Sequence, residues 1–309
     1  MIHIPFTKSF LKHKSSFYLP RLSFLGILLL LCACSTPTPP PPLKASRPPI
    51  IGLALGGGAA RGFAHIGVIK ALEANDIKPD LIVGTSAGSV IAAIYATGIS
   101  GNELHRIAID LDEAKITDWA NPFASKLGGL IKGDALANTI NELVKNRPID
   151  QMRIPLGIVA TELQTGNAVL FRRGDTGQAV RASSSVPGIF SPVSIGSKEY
   201  VDGGLVSPIP VRFAKQMGAD IVIAVNISSE PADQVISGTL GILLQTTTIM
   251  GRSISQYELS QADFVIQPAL SNMKGTDFKS RSTAVLAGEE AMQASIKKLK
   301  DKIAEFNAH

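Results

Sequence analysis

The sequence predicts an α/β protein built around a mostly parallel central sheet, and three features carry that prediction. Short apolar runs rich in Val and Ile recur along the chain, glycine-rich turns follow them, and those turns open into stretches with apolar residues at helical spacing. Parallel strands are buried on both faces and so read as continuous apolar runs, and helical crossovers must separate them.

Taken in order, Ile50 to Leu55 is the expected first strand, Gly56 to Gly62 its turn, and His65 to Ala74 the helix that follows. Leu81 to Val83 reads as a second strand, Gly84 to Gly88 as its turn, and Ser89 to Thr97 as the next helix. Ile154 to Thr161, Ala168 to Phe171, Glu199 to Val201 and Ile221 to Val225 have strand composition, while Gly241 to Gln261 and Ser282 to Phe306 have the length and spacing of long helices. Ile116 to Gly133 follows no period and is expected to be a loop or cap over one face. Ligands of such sheets bind beyond the carboxyl ends of the strands, where both glycine-rich turns fall.

The first 33 residues carry a different signal. Lys8, Lys12, Lys14 and Arg21 precede the apolar run Leu22 to Ala33 with no acid among them, an arrangement expected of an export signal. The run is about a dozen residues long, whereas a spanning helix needs ~20. It ends in Leu31-Cys32-Ala33-Cys34-Ser35, which resembles a bacterial lipobox, making Cys34 the expected lipidated N-terminus of the mature chain. Residues 34–49, rich in proline through Pro48 and Pro49, are the expected tether, since such stretches extend at ~3.1 Å per residue. Residues 50–309 are then the expected folded domain, with the length of one domain and a sizeable core. Ser35 after the lipidated cysteine points to the outer membrane of a bacterial cell envelope.

Composition excludes several classes. Both cysteines lie in the leader region, so the domain has no thiol for a disulfide, a thiolate metal site or a cysteine nucleophile. Four of the 30 basic residues and none of the 25 acidic ones lie in 1–33, which leaves the remainder nearly neutral and gives no footprint for nucleic acid. No metal or cofactor motif is present, and nothing sets an oligomeric state.

The sharpest motif is Gly84-Thr85-Ser86-Ala87-Gly88, a G-x-S-x-G between a predicted strand and a predicted helix. Such an elbow projects the serine hydroxyl above the sheet, and Gly84 and Gly88 are needed because strand and helix pass too close for side chains. Gly56-Gly57-Gly58-Ala59-Ala60-Arg61-Gly62 fits neither G-x-G-x-x-G nor a P-loop. It is expected instead to be an oxyanion-binding loop in which the N–H groups of Gly56, Gly57 and Gly58 face the reacting carbonyl, with Arg61 holding the loop or meeting an anionic head group. Ser86 needs a base, yet the chain after the leader has only His65, His105 and His309, none in the order of a Ser-acid-His triad. Ser271-x-x-Lys274 and Ser295-x-x-Lys298 sit on no strand-turn-helix corner. Asp202, in Tyr200-Val201-Asp202-Gly203-Gly204 at a predicted strand end, is the most suggestive carboxylate partner.

The three glycine-bearing blocks, together with Arg181-Ala182-Ser183-Ser184-Ser185-Val186-Pro187-Gly188, resemble the patatin-like phospholipases, and in the first block the bacterial relatives of the neuropathy target esterase domain. The resemblance covers roughly Ile50 to Ile227. It implies a three-layer patatin-like fold, a Ser86–Asp202 dyad without histidine, and hydrolysis of carboxylic esters of phospholipids or lysophospholipids, with membrane lipid as substrate. An acyltransferase, a catalytically inert lipid-binding or scaffold lipoprotein of the same fold, and a nucleotide-binding module on the first glycine loop are the alternative readings.

Overall fold

The computed structural model describes residues 47–110, 132–231, 236–270 and 273–308. The expected leader, Cys34, most of the expected tether and most of the expected cap lie outside these residues. The described elements run β1 (Ile51–Leu55), α1 (Ala64–Glu73), β2 (Leu81–Thr85), α2 (Ala87–Ala96), α3 (Gly101–Asp110), α4 (Asp134–Leu143), β3 (Leu156–Glu162), β4 (Ala168–Phe171), α5 (Thr176–Ser183), β5 (Val193–Ile195), β6 (Lys198–Asp202), α6 (Val211–Gln216), β7 (Ile221–Val225), α7 (Gly238–Leu259), β8 (Phe264–Ile266) and α8 (Arg281–Ala308).

These strands form one mixed sheet in which β3, β2, β1, β7 and β8 are parallel neighbours. The apolar runs are divided between two cores by the period-2 geometry of a strand. Leu53 and Leu55 of β1, Ile82 of β2 and Ile223 and Val225 of β7 face one core, which α1, α2, α3 and α8 complete. Ala54, Val83, Val222 and Ala224 face the other, closed by Phe213 and Ala214 of α6. This is a three-layer α/β sandwich.

Two features of the topology position the site. The chain steps outward from β1 to β2 to β3, then returns to place β7 on the far side of β1, so the turn after β1 stands where the strand order reverses. The second feature lies on β3. One edge of β3 pairs with β4. Its other edge pairs with β2 as far as Val159 opposite Thr85, and with the antiparallel β6 from Ala160 opposite Asp202. β2 and β6 therefore run toward each other along one neighbour, and their carboxyl ends meet.

The expected strands and long helices are present with small shifts at their ends. Gly84 and Thr85 remain in β2 and the turn is concentrated on Ser86 alone, tighter than a turn over Gly84 to Gly88. Helices α3 to α6 and strands β5 and β8 add to the expected set. β5 and β8 have three residues each, too few to show a period. α5 did carry a local start signal, Asp175, whose side chain accepts from the Gln178 N–H as a cap.

Candidate active site

Ser86 has φ 52° and ψ −123°, a left-handed conformation that costs a non-glycine residue ~1–3 kcal/mol and is retained only where its surroundings enforce it. Those surroundings are tight. A Cβ on Gly84 would lie 2.4 Å from the Gly88 carbonyl oxygen, and one on Gly88 would lie 2.1 Å from that of Leu55. The Ser86 N–H donates to Ser183 Oγ at 2.8 Å, and the Ser183 hydroxyl donates in turn to the Val159 carbonyl at 2.5 Å. Ser86 also occupies the N-cap position of α2 without a side-chain capping bond, so it stands at the positive end of that helix.

The meeting of β2 and β6 brings the Ser86 hydroxyl to 2.8 Å from Asp202 Oδ2, to which it donates. Asp202 Oδ1 accepts the Gly204 N–H at 2.6 Å. The Asp202 backbone is held by its N–H to the Ser185 carbonyl at 2.9 Å, and by the Thr161 hydroxyl donating to its carbonyl at 2.8 Å. Asp202 is only 6% exposed, and burial pushes its carboxyl up to about 6, against the opposing pull of the Gly204 N–H and the Ser86 hydroxyl. At neutral pH it is an ionised acceptor with more proton affinity than an exposed aspartate.

The glycine loop differs from expectation. The Gly56 N–H donates to the Val225 carbonyl at 3.2 Å and the Gly57 N–H to the Pro208 carbonyl at 3.0 Å, so neither is free for a substrate oxygen. β7 and the segment after β6 flank the loop and take up these donors. The N–H groups of Gly58 and Ala59 have no protein acceptor among the described residues. Gly57 instead lies against Ser86, since a Cβ there would sit 3.2 Å from Ser86 Cβ. Arg61 is buried, its N–H donates to the Gly58 carbonyl, and its guanidinium donates to Ser229 Oγ, which ties the loop to the segment after β7.

His65 is fully buried, and its Nε2 lies 2.8 Å from the Gly56 carbonyl. A carbonyl only accepts, so Nε2 carries the proton, and burial lowers the imidazole to about 4 and keeps it neutral. His65 is thus a brace for the glycine loop. His105 lies on α3, and Lys298 and Ser295 on α8, away from any elbow.

An apolar pocket begins at Ala87, the residue after Ser86, and neither Ser86 nor Asp202 lines it. Ala59 and Ala87, next to the loop donors and the nucleophile, line its near end, and Ile91 and Ile94 of α2, Leu104 and Ala108 of α3, and Ile140 and Leu143 of α4 line the rest. Among the described residues no cluster of His, Cys, Asp or Glu has the makings of a metal site.

Ser183, Ser185, Thr161 and His65 were not assigned these roles from sequence. The Arg181 to Gly188 motif marked the right segment, and the structure adds that it holds the backbones of Ser86 and Asp202.

The family model for patatin-like phospholipase matches residues 53–215, which span both Ser86 and Asp202. The chain belongs to the patatin-like phospholipase family. It is 32% identical over 213 residues to an NTE family protein of Mycobacterium tuberculosis strain H37Rv, a match covering 69% of this chain and 59% of that protein. Against human patatin-like phospholipase domain-containing protein 6 it is 31% identical over 192 residues, covering 58% of this chain and 13% of the other. The matched part is thus less than two thirds of each of these relatives. Among solved structures, VipD from Legionella pneumophila covers 81% of this chain and 67% of its own at 15% identity and a TM-score of 0.49. The resemblance drawn from the motifs is therefore borne out. The mixed sheet between two helical layers is a patatin-like fold.

Proposed function

We propose that this patatin-like chain hydrolyses carboxylic esters of phospholipids or lysophospholipids through Ser86 and Asp202. The observation that carries the reading is the 2.8 Å hydrogen bond from the Ser86 hydroxyl to Asp202 Oδ2 at a strained elbow beside an apolar pocket. As Ser86 Oγ attacks the ester carbonyl, its proton passes to Asp202 and the carbonyl oxygen becomes negative. The reading assigns the stabilisation of that charge to the N–H groups of Gly58 and Ala59, which have no acceptor among the described residues, and to the N-terminus of α2, a contribution of ~2.7–4 kcal/mol per donor in related chemistry. Asp202 then gives its proton to the departing alcohol oxygen, which leaves Ser86 acylated. Water, deprotonated by Asp202, attacks the acyl carbonyl, and Asp202 returns that proton to Ser86 Oγ as the acyl bond breaks and the fatty acid leaves.

The pocket supports a lipid acyl chain, because its walls offer apolar side chains to a long hydrocarbon. Lipidation at Cys34 is proposed as the device that keeps the enzyme beside its substrate, with the proline-rich tether as spacer. The test is turnover of phosphatidylcholine and lysophosphatidylcholine vesicles, measured as released fatty acid. The wild type is expected to release it, and Ser86→Ala and Asp202→Asn to fall to background. Full activity in either variant contradicts the dyad, and wild-type turnover of short esters but of neither lipid contradicts the substrate class.

A further inference from the structure

The strap Ser207-Pro208-Ile209, just after the Asp202 turn, touches both halves of the site. The Ser207 carbonyl accepts the Thr85 hydroxyl at 2.9 Å, one residue before the nucleophile. The Pro208 carbonyl accepts the Gly57 N–H at 3.0 Å, and Gly57 lies against Ser86. The strap is itself held from outside by one side chain. Glu258, near the end of α7 and 1% exposed, takes the Ser207 hydroxyl on Oε1 at 2.5 Å and the Ile209 N–H on Oε2 at 2.9 Å, so its two oxygens bracket Pro208. Arg212 Nε is 3.8 Å from Oε1. A buried carboxyl is costly to retain, and neither proton transfer nor substrate contact in the proposed mechanism uses this one.

We propose that Glu258 is a positioning residue that sets the glycine loop against Ser86, acting through the Pro208 carbonyl and the Gly57 N–H. The proposal rests on the dyad reading for its effect on rate, whereas its effect on the loop is independent of that reading. With the strap released, Gly57 loses its fixed acceptor. The N–H groups of Gly58 and Ala59 then no longer hold one orientation toward the oxyanion. The loss falls on the transition state, so kcat drops while KM stays nearly constant.

Two substitutions separate positioning from bulk. Glu258→Leu keeps the volume and removes both acceptors. Glu258→Gln keeps the bracket, with Oε1 accepting the Ile209 N–H and Nε2 donating to Ser207 Oγ. The measurements, on the full chain well below each variant's melting temperature, are kcat and KM for a short p-nitrophenyl ester, and amide hydrogen exchange of the segment containing Gly57. Glu258→Leu is expected to lower kcat by about tenfold or more with KM within threefold, and to speed exchange at Gly57, as loss of one preorganised oxyanion contact would. Glu258→Gln is expected to stay within threefold of wild type on both. Wild-type kcat and exchange in Glu258→Leu overturn the proposal and leave the dyad intact. Equal losses in Leu and Gln variants also overturn it. If Ser86→Ala retains full activity the dyad reading fails, and the exchange data alone then decide the role of Glu258.

Discussion

Asp202 concentrates the chemistry of the site in one titration. As the proposed base it must be ionised, and burial places its carboxyl at about 6, so kcat/KM for a soluble ester is expected to rise tenfold per pH unit up to about 6 and then level. A flat profile between pH 4.5 and 7 contradicts that role. The same shift has a stability consequence. The folded-state value is raised above the ordinary 3.8, so between pH ~4 and ~6 the folded chain keeps a proton that the unfolded chain has released, and stability falls as pH rises through that window. Asp202→Asn removes this loss while its amide still accepts from Gly204 and donates to Ser86. Its melting temperature at pH 8 is expected to equal or exceed that of wild type while ester hydrolysis falls by ~10²-fold or more. A strongly destabilised variant contradicts the argument. At this scale the sequence was informative about Ser86, Gly84 and Gly88, because an elbow is a local backbone requirement written in adjacent residues. It was silent on which glycine N–H groups are free, because the acceptors for Gly56 and Gly57 come from Val225 and Pro208, more than 150 positions away.

At the scale of elements, α2, α3 and α4 build the pocket wall. Ala108 is small, buried and on that wall, so Ala108→Trp shortens the space for an acyl chain. Hydrolysis of p-nitrophenyl palmitate is expected to fall by more than about tenfold in kcat/KM, with p-nitrophenyl butyrate little changed, since each displaced methylene is worth ~1–3 kcal/mol. Equal losses on both esters place the chain elsewhere. The sequence did not reveal this wall, since α3 and α4 flank the aperiodic stretch and only their packing on α2 defines a pocket. A second contact at this scale is the crossing of α1 and α8, where a Cβ on Gly67 would lie 1.9 Å from the Val285 carbonyl oxygen and one on Gly288 1.9 Å from that of Ala64. Gly67→Val is expected to destabilise the chain by about 3 kcal/mol or more, read from urea unfolding, because two backbones must separate to admit the side chain.

For the whole molecule, one arrangement unites these parts. The parallel strands of the mixed sheet place two turns at the carboxyl ends of β1 and β2, and the antiparallel strand β6 delivers Asp202 from the opposite direction along β3. The α/β class and the long helices were legible because parallel strands and crossovers need long, distinctive patterns. The reversal of β6 was not, because a five-residue strand of sequence Lys-Glu-Tyr-Val-Asp does not state its direction. The absence of a usable histidine pointed to the dyad before any geometry was known, and the meeting of β2 and β6 supplies the geometry such a dyad needs. The most direct test of the Ser86–Asp202 account is intact-mass analysis after treatment with a long-chain fluorophosphonate. The account predicts one stoichiometric adduct that maps to Ser86, is absent in Ser86→Ala and forms much more slowly in Asp202→Asn. An adduct elsewhere, or equal labelling in Ser86→Ala, would contradict it.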